Sequence, residues 1–93
     1  MRENQIEQYL IKCVKEAGGE VRKVKWIGRR GAPDRLVMLP FSSIWVELKA
    51  PGEKCKSHQL REHVRLLAAG MRVDVIDSME KVDNLIELEM PFV

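Results

Sequence analysis

The sequence predicts a mixed α/β fold in which helices pack against a central sheet, and three observations lead to that class. Apolar residues recur at helical spacing in three segments. Four short runs between those segments are apolar or alternate between apolar and polar residues. Glycine and proline mark most of the boundaries. The resulting order, α-β-β-β-α-β-α, fits a single domain spanning residues 1–93.

The first part of the chain supplies a helix, a strand and a loop. Residues 3–17 have one apolar face, and Gly18 and Gly19 end the helix. Residues 20–27 alternate as in an amphipathic or edge strand. Residues 28–33 contain two glycines and a proline and are expected to form a loop. The apolar face of the helix comprises Ile6, Leu10, Cys13, Val14 and Ala17.

A hairpin and a second helix follow. Residues 36–39 and 44–50 are apolar runs separated by residues 40–43 (Pro-Phe-Ser-Ser), as expected for two central strands of a hairpin. Residues 57–69 are predicted to form a helix with Ser57 as its N-cap and Gly70 at its C-terminal end. The buried stripe expected for this helix is Leu60, Val64, Leu67 and Ala68.

The last two elements are a strand and a helix. Residues 72–76 are predicted to form a fourth strand, because valine and isoleucine dominate them. Asp77, followed three residues later by Glu80, resembles a capping box and predicts a helix that continues through Val82 and Leu85. If the third and fourth strands are parallel, the helix between them makes a right-handed crossover.

Charge is distributed unevenly along the chain. The totals are 16 Lys plus Arg and 14 Asp plus Glu, but residues 1–72 hold 15 and 8 of them and residues 73–93 hold 1 and 6. Within residues 22–35, six basic side chains accompany the single acid Asp34. Such an excess indicates either a phosphate-binding loop or a solvated basic loop.

Two function classes are disfavoured by composition. The sequence has no apolar run near the roughly 18 residues of a membrane-spanning helix, and its charged N-terminus lacks the apolar core of a signal peptide. We therefore expect a cytoplasmic protein without membrane contact. Cys13 and Cys55 lack the paired spacing of a zinc site and are expected to be free thiols.

Three charged residues in the predicted hairpin carry the chemical prediction. Glu47 and Lys49 are two positions apart on one strand and therefore project from the same face. If the hairpin brings Asp34 beside Glu47, two carboxylates crowd one site, and a divalent cation makes that arrangement favourable. The alternative is an ordinary ion pair between Glu47 and Lys49, with Asp34 capping a turn after Pro33.

Oxygen-only ligation at such a site suits Mg²⁺ or Mn²⁺ rather than Zn²⁺. A metal held by carboxylates can deprotonate a water molecule and neutralise charge that develops on a phosphate. Lys49 could then position the attacking water or stabilise the transition state. This combination predicts hydrolysis of a phosphodiester.

These residues resemble the motifs of the PD-(D/E)XK nuclease superfamily and, within it, of the VRR-NUC (virus-type replication-repair nuclease) domain of stand-alone phage proteins. The resemblance rests on residues 31–35 (Gly-Ala-Pro-Asp-Arg), residues 46–50 (Val-Glu-Leu-Lys-Ala) and Gln59, and it runs over about residues 3–86. It implies an αβββαβ core, to which the last helix is added. It also implies a Mg²⁺ or Mn²⁺ ion at a site comprising Asp34, Glu47 and the backbone carbonyl of Leu48, with Lys49 as the catalytic lysine.

The resemblance also extends the site beyond the hairpin. It implies an acidic residue on the first helix that reaches the site directly or through water; we expect Glu7, with Glu3 as the alternative, although both could simply complement the helix dipole. It also implies a role for Gln59 in contacting a phosphate or a metal-bound water. His58 and His63 are five positions apart, a poor spacing for two ligands on one helical face, and are predicted to be surface or phosphate-contacting residues.

From this resemblance we expect a homodimeric, metal-dependent endonuclease that cuts branched DNA, including four-way junctions, in the cytoplasm of a phage or prophage host. Two symmetric incisions require two sites, and one chain offers one. Three alternatives remain open: a nuclease for flaps, nicks or unbranched duplex, a non-catalytic DNA-binding module, and a protein whose acidic C-terminal tail serves mainly as a protein-docking surface. The residues expected to contact phosphates are Lys25, Arg29, Arg30, Arg35, Arg61 and Arg65.

Overall fold

The computed structural model of the chain describes residues 1–90; residues 91–93, which the predicted domain span includes, lie outside the described part. The α/β order predicted from the sequence is confirmed. Its elements are α1 (Glu3–Glu16), β1 (Glu20–Lys23), β2 (Arg35–Leu39), β3 (Ser42–Leu48), α2 (Ser57–Ala68), β4 (Val73–Ile76) and α3 (Met79–Glu89).

The four strands form one mixed sheet in the order β1-β2-β3-β4. β2 is antiparallel to both β1 and β3, whereas β4 runs parallel to β3. A parallel neighbour requires a crossover connection, and α2 supplies it. The catalytic motif predicted on β3 therefore lies on a central strand between an antiparallel and a parallel partner.

The hydrophobic core lies between one face of the sheet and the pair α1 and α3. Alternation along β3 points Ile44, Val46 and Leu48 into this core. α1 contributes its predicted face, with Ile6 and Leu10 fully buried. The side chains of Trp45, Glu47 and Lys49 must project from the opposite face, which α2 partly covers. The sheet thus separates an apolar core from a polar site.

The predicted buried stripe of α2 is wrong. Leu60, Val64 and Leu67 are 51%, 63% and 53% exposed, and Ala68 is also exposed. The buried positions are Glu62, His63 and Leu66 instead. The helix is rotated because polar side chains on its inner face meet polar side chains on β3, and those contacts decide which face is buried.

Several element ends also differ from the prediction. β1 stops at Lys23, whereas the predicted strand continued to residue 27. Ser57 is the first helical residue of α2, and Lys56 holds the N-cap position. α3 is capped by Ser78, whose hydroxyl accepts a hydrogen bond from the backbone N–H of Lys81. In the part of the chain covered by the structure, no helix is long and apolar enough to cross a membrane.

Candidate active site

Glu47 lies near the C-terminal end of β3 and Lys49 immediately follows the strand, which ends at Leu48 rather than at the predicted residue 50. Both residues are almost fully buried, at 9% and 8% exposure. Because Val46 and Leu48 fill the core behind them, these two side chains face α2. A carboxylate and an ammonium buried at this depth require partners. The surrounding elements supply them.

Asp34 lies directly across the hairpin from Glu47. Arg35 pairs with Val46 in the antiparallel register. Continuing that register by one position places Asp34, which precedes Arg35, opposite Glu47, which follows Val46. Burial raises the pKa of Glu47, the nearby Asp34 charge adds to that rise, and the His63 hydrogen bond and the Lys49 charge oppose it. The hairpin therefore brings the two predicted carboxylates together.

Gln59 holds Lys49. Its side-chain oxygen Oε1 accepts a hydrogen bond from Lys49 Nζ at 3.0 Å and another from the backbone N–H of Lys56 at 2.8 Å. The second bond satisfies one of the free donors at the start of α2. Gln59 thus ties the lysine to the start of α2, and its expected contact with a phosphate or a metal-bound water stays a prediction.

His63 belongs to the site, contrary to the prediction that it is a surface residue. Its imidazole is buried, with the residue 6% exposed, and Nε2 lies 3.4 Å from Oε1 of Glu47. One signal was available in the sequence: positions 59 and 63 are four apart and share one helical face. The apolar residues Leu60, Val64 and Leu67 on another face of the helix favoured a different orientation instead.

Arg35 is an internal cation, which corrects its expected role as a phosphate contact. Its guanidinium pairs with Glu7 on α1 and with Asp34 at 2.8 Å. The side chain is only 10% exposed, so it cannot present itself to a DNA backbone. These carboxylates raise the pKa of Arg35 despite the opposing effect of burial.

Glu7 therefore reaches the site through Arg35, whereas Glu3 is exposed one turn earlier on the same helix. The structure connects Glu7 to Asp34 by a shared guanidinium and does not bring the two carboxylates to a common ligand position. Among residues 1–90, no three acidic, histidine or cysteine side chains converge as metal ligands. The expected contact of Glu7 with the site, directly or through water, stays a prediction, with Glu3 as its alternative.

The loop between β1 and β2 packs against the start of α2. Gly31 has φ +85°, and a Cβ atom there would lie 2.7 Å from Cδ2 of His58, so this position requires glycine. The loop is also fixed by Trp26, whose indole N–H donates to the Pro33 carbonyl at 2.8 Å and whose ring packs on Trp45 with centroids 4.9 Å apart. Asp34 thus stands at the end of an ordered loop.

A basic cleft of about 450 Å³ leads along this loop to Asp34. Lys25 and Arg29 line it, and both are exposed, as is Arg30 nearby. A larger cleft of about 750 Å³ between α1 and α3 is lined by the acidic residues Glu16, Asp83 and Glu87. A polyanion is attracted by the basic residues of the smaller cleft and repelled by the acidic residues of the larger one.

The basic residues predicted on α2 are divided between two environments. Arg61 is exposed. Arg65 is also exposed, but its guanidinium pairs with the buried carboxylate of Glu62 at 3.1 Å. Only Arg61 is therefore placed like the free phosphate contact expected from the sequence.

The donor set fits a hard divalent cation. Asp34, immediately before β2, and Glu47 on β3 carry carboxylate oxygens, and the backbone carbonyl of Leu48 is the third donor expected from the sequence. The buried Glu47 carboxylate, whose pKa is raised by burial, is the kind of group that a cation stabilises in its charged form.

Comparison with known proteins gives two findings of high similarity. The chain is 52% identical over 81 residues to "Putative nuclease p44" of Acyrthosiphon pisum secondary endosymbiont phage 1, covering 86% of this chain and 87% of the relative. A solved structure described as a VRR_NUC domain superimposes with a TM-score of 0.83 at 40% identity, covering 94% of this chain and 97% of that one. No protein-family model matches the chain.

Proposed function

The chain belongs to the VRR-NUC family of PD-(D/E)XK nucleases, and from this premise we propose that it is a Mg²⁺- or Mn²⁺-dependent endonuclease that cuts four-way DNA junctions as a homodimer. The observation that carries the proposal is the placement of Asp34 opposite Glu47 on the hairpin, with Lys49 on the same face. An ordinary ion pair between Glu47 and Lys49 would not require a second carboxylate at that place.

The metal would be held by Asp34, Glu47 and the carbonyl of Leu48. When bound, it would supply a Lewis acid that lowers the pKa of a water molecule and neutralises phosphate charge. Lys49, fixed by Gln59 at 3.0 Å, presents an ammonium group to the same face. A preorganised cation beside a scissile phosphate stabilises the charge of the transition state without having to reorient during the reaction.

DNA is proposed to approach along the basic cleft. Lys25, Arg29 and Arg30 are exposed on the loop that ends at Asp34, and Arg61 is exposed on α2. Contacts of this kind bind the backbone irrespective of sequence and weaken as salt rises. Since Arg35 is used internally by Glu7 and Asp34, we omit it from the phosphate-binding set.

The proposed preference for junctions rests on what a single small domain can recognise. The described elements are accounted for by the nuclease core, and none extends from it as a helix that could read a DNA groove. Selectivity would then come from DNA shape and from the spacing of two sites in a twofold dimer. A homodimer supplies the two incisions that a four-way junction requires.

A substrate panel tests this proposal. The protein is incubated with a four-way junction, a flap, a nicked duplex and a linear duplex of equal length, with Mg²⁺ or Mn²⁺ and with EDTA. We expect the junction to be cut fastest and EDTA to stop cutting. Faster cutting of the flap or duplex would overturn the substrate, and no metal-dependent nicking of any DNA would favour a binding module.

Single substitutions then test the site. Asp34→Ala and Glu47→Ala are expected to abolish cutting and to leave junction binding largely intact, as measured by gel shift in the absence of cleavage. Glu87→Ala, a loss of the same charge on the acidic cleft, is the matched control and should cut normally. Full cutting by either site variant would contradict the assignment.

A further inference from the structure

α2 meets β3 through two parallel polar contacts. Gln59 Oε1 accepts from Lys49 Nζ at 3.0 Å, and His63 Nε2 lies 3.4 Å from Glu47 Oε1. Residues four apart on a helix are separated by about 6 Å along its axis, and residues two apart on a strand by about 6.6 Å. The two spacings match, so one helical face can engage both charged residues of the catalytic strand at once.

This match accounts for the unexpected rotation of α2. The helix buries His63 at 6% exposure and leaves Leu60 and Val64 largely in solvent. Burying an imidazole in place of an available apolar face is unfavourable unless the imidazole has a polar partner. The partner that the structure provides for it is Glu47.

We propose that His63 is a positioning residue for Glu47: its Nε2–H donates to Oε1 and fixes the orientation of the carboxylate that would hold the metal. This inference rests on the proposed function. Carboxylates and imidazoles that bind metals are commonly oriented by such hydrogen bonds, and loss of the outer partner typically weakens metal binding about 10–100-fold. The role proposed for His63 is exerted through Glu47 and requires no direct contact of the imidazole with metal or DNA.

Metal binding without DNA provides a readout separate from activity. Mn²⁺ affinity is measured by electron paramagnetic resonance of the free ion during titration of the full-length protein. His63→Leu, which keeps bulk but removes the donor, is expected to raise the Mn²⁺ dissociation constant about 10–100-fold. His63→Gln places an amide N–H near the position of Nε2 and should restore most of the affinity.

Leu66→Ala is the matched control for packing. Leu66 is buried on the same helix but has no hydrogen bond to β3, so its truncation should lower the melting temperature and leave Mn²⁺ affinity unchanged. If circular dichroism shows that His63→Leu does not fold, His63→Asn replaces it, because its shorter amide cannot reach Glu47. In single-turnover cleavage with saturating DNA, His63→Leu should lower the rate without changing DNA affinity.

Three outcomes would overturn the role of His63: unchanged Mn²⁺ affinity in the variant that lacks the donor, equal loss in His63→Gln, or equal loss in Leu66→Ala. The last two would show that packing, not hydrogen bonding, is responsible. Failure of the proposed function is distinguishable, since the unmodified protein would then neither bind Mn²⁺ nor nick DNA.

Discussion

Two adjacent leucines on α2 are expected to respond differently to the same truncation. Leu66 is 9% exposed and Leu67 is 53% exposed. Leu66→Ala removes about three buried carbon groups, worth about 2.4 kcal/mol at about 0.8 kcal/mol each. The cavity left behind brings the expected loss in free energy of unfolding to about 2–5 kcal/mol.

Leu67→Ala removes the same atoms from a position that is half in solvent. The transfer contribution is accordingly about 1 kcal/mol, and no closed cavity forms. Alanine is also the stronger helix former, which offsets a small part of that loss. The difference between the two variants is therefore expected to be at least 1 kcal/mol.

Urea unfolding followed by circular dichroism measures both variants against the unmodified protein. The midpoints should separate while the slopes stay equal, because neither substitution changes the surface exposed on unfolding by much. A larger loss for Leu67→Ala than for Leu66→Ala would refute the helix orientation described above. It would also separate His63 from Glu47, since both contacts of α2 depend on that orientation.

Three further outcomes are expected. Burial raises the pKa of Glu47 above its value in the unfolded chain, so the free energy of unfolding of the metal-free protein should fall as pH rises through the pKa of Glu47 in the folded protein. Glu47→Gln should therefore raise the melting temperature at pH 7 in EDTA. A lower melting temperature for this variant would contradict the reasoning. Gly31→Ala should lower the free energy of unfolding by at least about 1–2 kcal/mol, because φ is +85° and a Cβ atom would press on His58; a neutral result in urea unfolding would refute that contact. Arg35→Met should cost about 1.5–3 kcal/mol in the same assay, whereas Arg30→Ala should stay within about 0.5 kcal/mol and weaken DNA binding; the reverse pattern would return Arg35 to the phosphate-binding set.

Local sequence patterns were sufficient for the hairpin and its charges. Alternation with period two places Glu47 and Lys49 on one face whatever surrounds the strand, and the short turn at Pro40 sets the pairing that brings Asp34 opposite Glu47. The apolar face of α1 was likewise predicted correctly, because Ile6, Leu10 and Val14 pack in the hydrophobic core and burial there follows periodicity.

Periodicity failed on α2 because two faces of that helix were plausible. Leu60, Val64 and Leu67 form the more hydrophobic stripe, yet the inner face carries Gln59 and His63. Hydrophobicity alone favours the first face. Hydrogen bonds to buried charges on a distant strand favour the second, and no local pattern contains those charges.

The same distinction explains Arg35. In the sequence it is one more cation of a basic stretch, and only its position on β2, facing α1, brings it between Glu7 and Asp34. Whether a charged residue serves DNA or the fold depends on which carboxylates are within reach, and that is a three-dimensional property.

The sequence by itself determined the α/β order and the pair of carboxylates with their lysine, because these follow from alternation, helical spacing and turn residues within a short stretch of chain. Only the tertiary structure decided the orientation of α2, the internal use of Arg35 and the place of His63 beside Glu47. Those features depend on burying charged groups only where partners exist, and the partners come from segments far apart in the chain.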